Sequence, residues 1–262
     1  MSAESGHGVF RVVIPARYAS ARLPGKALMS IGGKPMVQWV YERARASGAE
    51  DVLIATDDSL ILSAGHSFGC EVVMTDSTHT SGTDRIAEVA RKRAWAEDQI
   101  VVNVQGDEPL IPPALIKQVA QLLEMHPRAD IATLATPIES LEEFLNPNVV
   151  KVVTDRQGRA LYFSRAPLPW NRDGASAGLA SQRAFAGSRR HVGIYAYRVG
   201  ALLKVAALAP TALETTERLE QLRALENGLE IRVADAIERP GPDVNTAEDF
   251  ERVLALTAGV MP

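Results

Sequence analysis

Short, unbroken apolar runs alternate with longer stretches of helical spacing through the first half of the chain, and this rhythm constrains the fold more than any other feature. Residues 10–16 (FRVVIPA), Asp51–Thr56 (DVLIAT), Glu71–Met74, 100–105 (IVVNVQ) and 131–135 read as strands. Between them, Met36, Val37, Val40, Tyr41 and Ala44 recur at helical spacing, behind Pro35 and ahead of Gly48. Leu60, Ile61 and Ala64 suggest a short helix, residues 84–96 a longer one, and residues 112–125 a helix with proline in its first turn. Strands that alternate with such helices build βαβ units, and continuous apolar strands mean burial on both faces. The expected fold is α/β, a mostly parallel sheet flanked by helices.

Residues 17–34 read as a polar loop between the first strand and the first helix. After about residue 137 the rhythm changes. Residues 149–154, Ala160–Ser164 and 192–197 read as strands with no long helix between them. Residues 172–190, rich in Gly, Ala, Ser and Arg, read as a mobile surface loop. Helical patterns return at 200–208 and at 214–227, where Gly228 ends the helix; a strand at 230–234 and a helix at 246–256 follow. No internal repeat and no linker divides the 262 residues, so a single domain is expected.

Composition sets limits on partners. The formal net charge of −4 is too mild to point to nucleic acid or a membrane surface. No stretch approaches the roughly 20 apolar residues of a membrane helix, and the first residues, MSAESGHGVF, lack a signal-peptide pattern. Cys70 is the single cysteine and has apolar neighbours in Phe68, Val72 and Val73, so it reads as a buried structural thiol. A chain without an intramolecular disulfide fits the cytoplasm.

Three motif matches lack their structural context. Gly65-His66-Ser67-Phe68-Gly69 fits the G-x-S-x-G elbow of serine hydrolases, but that elbow follows a strand and opens a helix. Here a helix precedes and a strand follows, the pattern of an ordinary turn. Gly25-Lys26 echoes a phosphate-binding P-loop, yet Ser20 and Ala27 replace required residues. Gly6-His7-Gly8 begins a dinucleotide fingerprint that fails at Arg11. The five histidines are scattered, with no zinc spacing.

Four segments carry chemistry. The loop IPARYASARLPGK leaves the carboxyl end of the first strand, where open α/β sheets bind ligands. Its Arg17, Arg22 and Lys26 supply the guanidinium forks and the ammonium that a polyphosphate needs, and Ser20 adds a hydroxyl. Gln105-Gly106-Asp107-Glu108-Pro109 ends the strand IVVNVQ, and a carboxylate there, beside a triphosphate, suits Mg²⁺. Ser81-Gly82-Thr83-Asp84-Arg85 opens a helix and offers free N–H groups to a ligand, or a plain N-cap. Strand alternation in YFSR and HVGIY places Arg165, His191 and Tyr195 at accessible positions, although His191 alone reads as readily as a core residue.

Taken in order, IPARYASARLPGK, HTSGTDRIAEVA, VVNVQGDEPLIP, NPNVVKVV, ALYFSRAPLPW, HVGIYAY and LEQLRALENG closely resemble the 3-deoxy-manno-octulosonate (Kdo) cytidylyltransferases, over about residues 9–255. The opening loop alone suggests only some sugar nucleotidyltransferase; ALYFSRAPLPW and LEQLRALENG point to the Kdo branch. The resemblance implies a Rossmann-like nucleotidyltransferase fold with a smaller mixed subdomain for sugar binding and dimerisation. Residues 9–136 would bind nucleotide, 137–230 the sugar and a second copy, and 231–262 would return to the core. It implies CMP transfer from CTP to Kdo for lipopolysaccharide synthesis, with Mg²⁺, in a homodimer. Arg17, Ser20, Arg22 and Lys26 match its phosphate loop, with Arg17, Lys26 and Asp107 as the catalytic group. Ser81, Gly82 and Arg85 match its nucleoside segment, and Gln105 lies between nucleotide and sugar. Arg165, His191, Tyr195, Glu220 and Gln221 match its sugar-acid pocket, and Asp107 its metal carboxylate. The second metal position is Asn245 here, where the family carries aspartate; Asp243 stands two residues earlier. Activation of another acid sugar, transfer from UTP, and a non-catalytic nucleotide sensor are the rival readings, the last favoured only by Asn245.

Overall fold

A computed structural model describes residues 9–19, 23–174, 177 and 181–258. The chain runs β1 (Phe10–Pro15), a short 3-10 helix (Lys26–Leu28), β2 (Ser30–Ile31), β3 (Lys34–Pro35), α1 (Met36–Ala46), β4 (Asp51–Thr56), α2 (Ser59–Ser67), β5 (Glu71–Met74), α3 (Gly82–Lys92), β6 (Ile100–Asn103), α4 (Pro113–Glu124) and β7 (Ile131–Pro137). It continues through α5 (Leu141–Leu145), β8 (Lys151–Thr154), β9 (Ala160–Ser164), β10 (Arg189–Arg198), α6 (Val199–Ala207), α7 (Ala212–Glu217), α8 (Gln221–Glu226), β11 (Ile231–Asp235) and α9 (Ala247–Thr257).

One sheet organises the molecule, in the order β11-β7-β10-β6-β1-β4-β5, with β8 paired to β10 and β9. β6, β1, β4 and β5 are mutually parallel, as are β7 and β11. β10 runs antiparallel between β6 and β7. The result is the mostly parallel sheet read from the sequence. Alternation along β1 sends Val12 and Ile14 to one face and Val13 to the other. The first face packs under α1, α2 and α4, the second under α3, α6 and α8. Both cores are apolar, and each fully buried Val, Ile or Leu contributes about 1.5–3 kcal/mol.

Helix ends follow from local chemistry. The Asp58 side chain accepts from the N–H groups of Leu60 (2.8 Å) and Ile61 (3.1 Å) at the start of α2. Ser81 does the same for Asp84 (3.1 Å) at α3. The G-x-S-x-G match falls on α2 and the turn before β5. An added Cβ on Gly65 would collide with Val72 Cγ2, so this glycine serves helix–strand packing.

Several expectations need correction. Residues 17–34 are not a plain loop: the chain makes the 3-10 helix and the β2–β3 hairpin there. Trp39 Nε1 donates to the Ile31 carbonyl (2.9 Å) and Ile31 is fully buried, so long-range packing orders this stretch. The helix expected at 214–227 is two helices, because Arg218 adopts φ 52° and ψ 50°, a left-handed conformation that breaks the helical ladder. Gly228 does end α8, with φ 74°. The expected loop at 172–190 gives up its last two residues to β10, and residues 175, 176 and 178–180 lie outside the described residues. α5 was not anticipated; it is a single capped turn whose Ser140 side chain accepts from Glu143 N–H (3.0 Å). Cys70 is buried, and burial pushes its thiol up to about 12. No helix among the described residues is long and apolar enough to cross a membrane.

Candidate active site

The carboxyl ends of β1 and β6 and the first turn of α3 frame a cavity of about 270 Å³, lined by Arg17, Lys26, Ser81, Gly82, Arg85, Gln105, Asp107 and Asn245. Close approach of the two strand ends requires glycine at Gly106, where an added Cβ would stand 3.0 Å from the Pro15 carbonyl oxygen. Gly25 turns the loop back with φ 69°, and Lys26 follows it into the cleft. Six of the nucleotide candidates read from the sequence, Arg17, Lys26, Ser81, Gly82, Arg85 and Gln105, line this one cavity. Ser20 and Arg22 lie outside the described residues.

Charges in the cleft offset one another. Lys26 Nζ donates to the Asp107 carboxylate and to the Val244 carbonyl (3.2 Å). Val244 N–H returns a bond to the Asp107 carbonyl (2.9 Å), so the chain's last loop closes the site. Arg17 is exposed at the cavity's edge. Arg85 is nearly fully buried; it donates to Asp57 (2.9 Å) and to the Thr75 hydroxyl, which fixes it as part of the wall. Burial, with Asp107 and Asp243 adding, pushes the Glu108 carboxyl up to about 8. The Asn245 amide donates to the Asp243 carboxylate, so these two residues act together.

The residues present fit a hard divalent cation that arrives with phosphates. Asp107 and Asn245 supply oxygen donors on the same cavity. Among the described residues no group of three or more His, Cys, Asp and Glu could hold a metal on its own. Mg²⁺ commonly takes only one or two protein carboxylates, with phosphate and water completing its shell.

A second row of candidates lies beside this cleft. Gln105 donates to Asn103 Oδ1 (3.4 Å), and Asn103 faces Tyr195 across the β6–β10 ladder. Strict alternation would hold His191 and Tyr195 apart, but a bulge between Val192 and Tyr195 brings their rings to 5.2 Å. The Thr133 hydroxyl donates toward the carbonyls of Ile194 (2.7 Å) and Val192 (3.1 Å) and lies 3.0 Å from His191 Nε2. Phe163 meets His191 edge-on at 5.1 Å. Burial, then Arg190, pushes His191 down to about 3, and burial raises Tyr195 well above its ordinary value. Both rings are therefore neutral hydrogen-bonding groups near pH 7. Glu220, at the start of α8, accepts from the Thr83 hydroxyl, and burial raises its pKa. Gln221 is the next residue, the first of α8.

Arg165 stands apart from that row, just beyond β9, and is tied to the carbonyls of Glu217, Pro147 and Arg218. Sequence reasoning missed Asn103, Thr133 and Glu217, and placed Thr83 only in the nucleoside segment at the start of α3, not as the partner of Glu220. Only Gly193 signalled the bulge, since a glycine inside a strand often marks one.

Comparisons with known proteins place the chain in a family and a fold. A family profile described as Cytidylyltransferase matches residues 11–231. A 3-deoxy-manno-octulosonate cytidylyltransferase of Thioalkalivibrio sulfidiphilus is 57% identical over 94% of this chain and 98% of its own length. One of Pseudomonas fluorescens is 58% identical over 94% of this chain and 97% of its own. A solved CMP:2-keto-3-deoxy-manno-octonic acid synthetase complexed with CTP superposes with TM-score 0.87 at 41% identity, covering 97% of this chain and all of that one. A nucleotidyl transferase of Methanothermobacter, 14% identical with TM-score 0.60, shares the fold. With a family profile over residues 11–231 and 57–58% identity to these relatives over nearly the whole chain, the chain belongs to the cytidylyltransferase family, on the branch of the 3-deoxy-manno-octulosonate cytidylyltransferases.

Proposed function

We propose that the chain transfers CMP from CTP to Kdo, giving CMP-Kdo and pyrophosphate, a step of lipopolysaccharide synthesis. The observation that carries this reading is the 57–58% identity, over nearly the whole chain, to proteins named for that reaction. The anomeric hydroxyl of the sugar attacks the α-phosphorus in line, and pyrophosphate leaves from the opposite side. A direct displacement needs no enzyme nucleophile, so the residues work by positioning and by charge stabilisation.

Arg17 and Lys26 bind the phosphates. Lys26 leaves Asp107 for the α-phosphate and the departing pyrophosphate, and offsets the charge that builds there. The backbone N–H groups at Ser81 and Gly82 receive the nucleoside side of CTP. Gln105 spans nucleotide and acceptor. His191, Tyr195, Glu220, Gln221 and Arg165 hold the acid sugar, with Arg165 on its carboxylate. Asp107 and Asn245 would hold Mg²⁺, which supplies charge neutralisation on the phosphate oxygens.

A cytoplasmic place of action is supported by the single buried cysteine. A homodimer rests on the resemblance of the sequence motifs alone. A product assay with CTP and UTP, each against Kdo and sialic acid, tests the reading: CMP-Kdo should form and the other pairings should lag. Single-turnover release of pyrophosphate, set against calorimetric CTP binding, excludes a sensor without turnover. Tight CTP binding with no pyrophosphate would overturn the proposal.

A further inference from the structure

Arg165 is oriented without being neutralised. Its Nε donates to the Glu217 carbonyl (2.6 Å), Nη1 to the Pro147 carbonyl (3.0 Å) and Nη2 to the Arg218 carbonyl (3.4 Å). A guanidinium carries about five N–H donors. These bonds use one hydrogen on each nitrogen, which leaves a further hydrogen on each terminal nitrogen. Those two suit the two oxygens of one carboxylate. No ion pair to Arg165 forms among the described residues. Neutral carbonyls therefore set its direction and leave its charge available.

The residue that makes this arrangement is Glu217. Its main-chain carbonyl takes Arg165 Nε, while its carboxylate is turned away from the guanidinium. One carboxylate oxygen accepts the Ser164 hydroxyl (2.6 Å) and the other accepts Arg165's own main-chain N–H (2.9 Å). Side chain and backbone of Glu217 thus grip the end of β9 from two directions. Glu217 also closes α7. The next residue, Arg218, takes the left-handed turn, and Glu220 follows to meet Thr83 at the mouth of α3. On the far side Lys151, fully buried, donates to the carbonyls of Asn146 (2.9 Å) and Val149 (2.6 Å). That closes the turn from which Pro147 reaches Arg165.

We propose that Glu217 is a positioning residue for the acceptor: it holds Arg165 as an open fork for the carboxylate of an acid sugar and fixes the turn that carries Glu220 to the nucleotide cleft. The inference rests on the function proposed above and assigns the orientation of its acceptor side. A staple that served only the fold would affect both substrates alike. A positioning residue affects chiefly the acceptor, because Glu217 bonds Ser164 and Arg165 and none of the CTP contacts proposed above (Arg17, Lys26, Ser81, Gly82).

The test uses the full chain, with CTP and Kdo varied separately and CTP binding followed by calorimetry. Glu217→Gln keeps the size but sets an NH₂ against a neighbouring donor. It should raise KM for Kdo about tenfold or more and leave the CTP constants within about twofold. Glu217→Asp should recover part of the loss. Ser164→Ala, which removes the hydroxyl at the Glu217 carboxylate together with the acceptor of the Ala166 N–H (3.0 Å), should give a smaller rise of the same kind; it carries the test if Glu217→Gln does not fold. Equal effects on the two substrates, or an unchanged Kdo constant in Ser164→Ala and in the folded Glu217 variants, overturn the inference while wild-type turnover stands. Wild-type protein that releases no pyrophosphate with CTP and Kdo overturns the proposed function, and this inference with it.

Discussion

Lys26 reaches Asp107 across 81 residues of sequence, and that contact shows what single residues could and could not announce. The cations of the opening loop were legible because a polyphosphate requires their chemistry. Their carboxylate partner was not, because nothing local to Lys26 encodes it. The ammonium is part-exposed, with 19% of its side chain accessible, so its loss should leave the fold intact. Lys26→Ala should lower turnover about 10²–10³-fold, the scale of one preorganised charge. Steady-state rates beside melting curves check this, and turnover within threefold of wild type would remove Lys26 from the mechanism. His191 makes a prediction about pH. Its folded pKa of about 3 lies below the ordinary 6.5, so the unfolded chain takes up a proton that the folded chain refuses. Stability contributed by the neutral ring is present above pH 6.5 and is lost as pH falls toward 3. His191→Gln should flatten that acid limb. Urea midpoints at neutral and acid pH, for both proteins, measure the difference, and parallel slopes would show that the ring is not held neutral by burial.

Elements were easier to read than their interruptions. Apolar runs gave the central strands because the sheet buries them on both faces. The bulge in β10 and the break between α7 and α8 were hidden because each is held by distant partners, Thr133 in the first case and Arg165 in the second. In the break, helical spacing continued through a residue whose backbone tertiary bonds had turned left-handed. The opposite case is α2, where a hydrolase-like motif has a packing explanation. Ser67 donates to the Ala64 carbonyl (2.6 Å) as an exposed helix residue, while Gly65 lies against Val72 on β5. Gly65→Ala should therefore destabilise the protein by about 1–3 kcal/mol through overpacking. Ser67→Ala should stay within about 0.5 kcal/mol and keep full activity. Thermal melts of the two variants decide it; a large loss of activity in a folded Ser67→Ala would reopen the hydrolase reading.

At the scale of the whole molecule, the cleft is completed where the two ends of the fold meet. Val244, Phe250 and Val253 pack with Ile31 and Met36, so the loop before α9 is held against the hairpin that follows Lys26. This docking brings Asn245 onto the cavity of Asp107, a closure that no local pattern in the sequence encodes. It also brings Asp243 within hydrogen-bonding reach of the Asn245 amide, closer than an extended backbone would suggest. An amide offers a metal an oxygen but no charge, so a cation held here would be neutralised by Asp107 and by the phosphates of CTP. The enzyme should turn over yet need more Mg²⁺ than a relative with two carboxylates. Asn245→Asp should lower the Mg²⁺ concentration for half-maximal activity several-fold, and should strengthen Mn²⁺ binding measured on nucleotide-free protein. Asp243→Ala should have a smaller effect, in the opposite direction, because Asp243 orients the amide without holding the cation. If Asp243→Ala abolishes activity while Asn245→Asp changes neither measurement, Asp243 is the carboxylate that serves the metal and Asn245 only steers it.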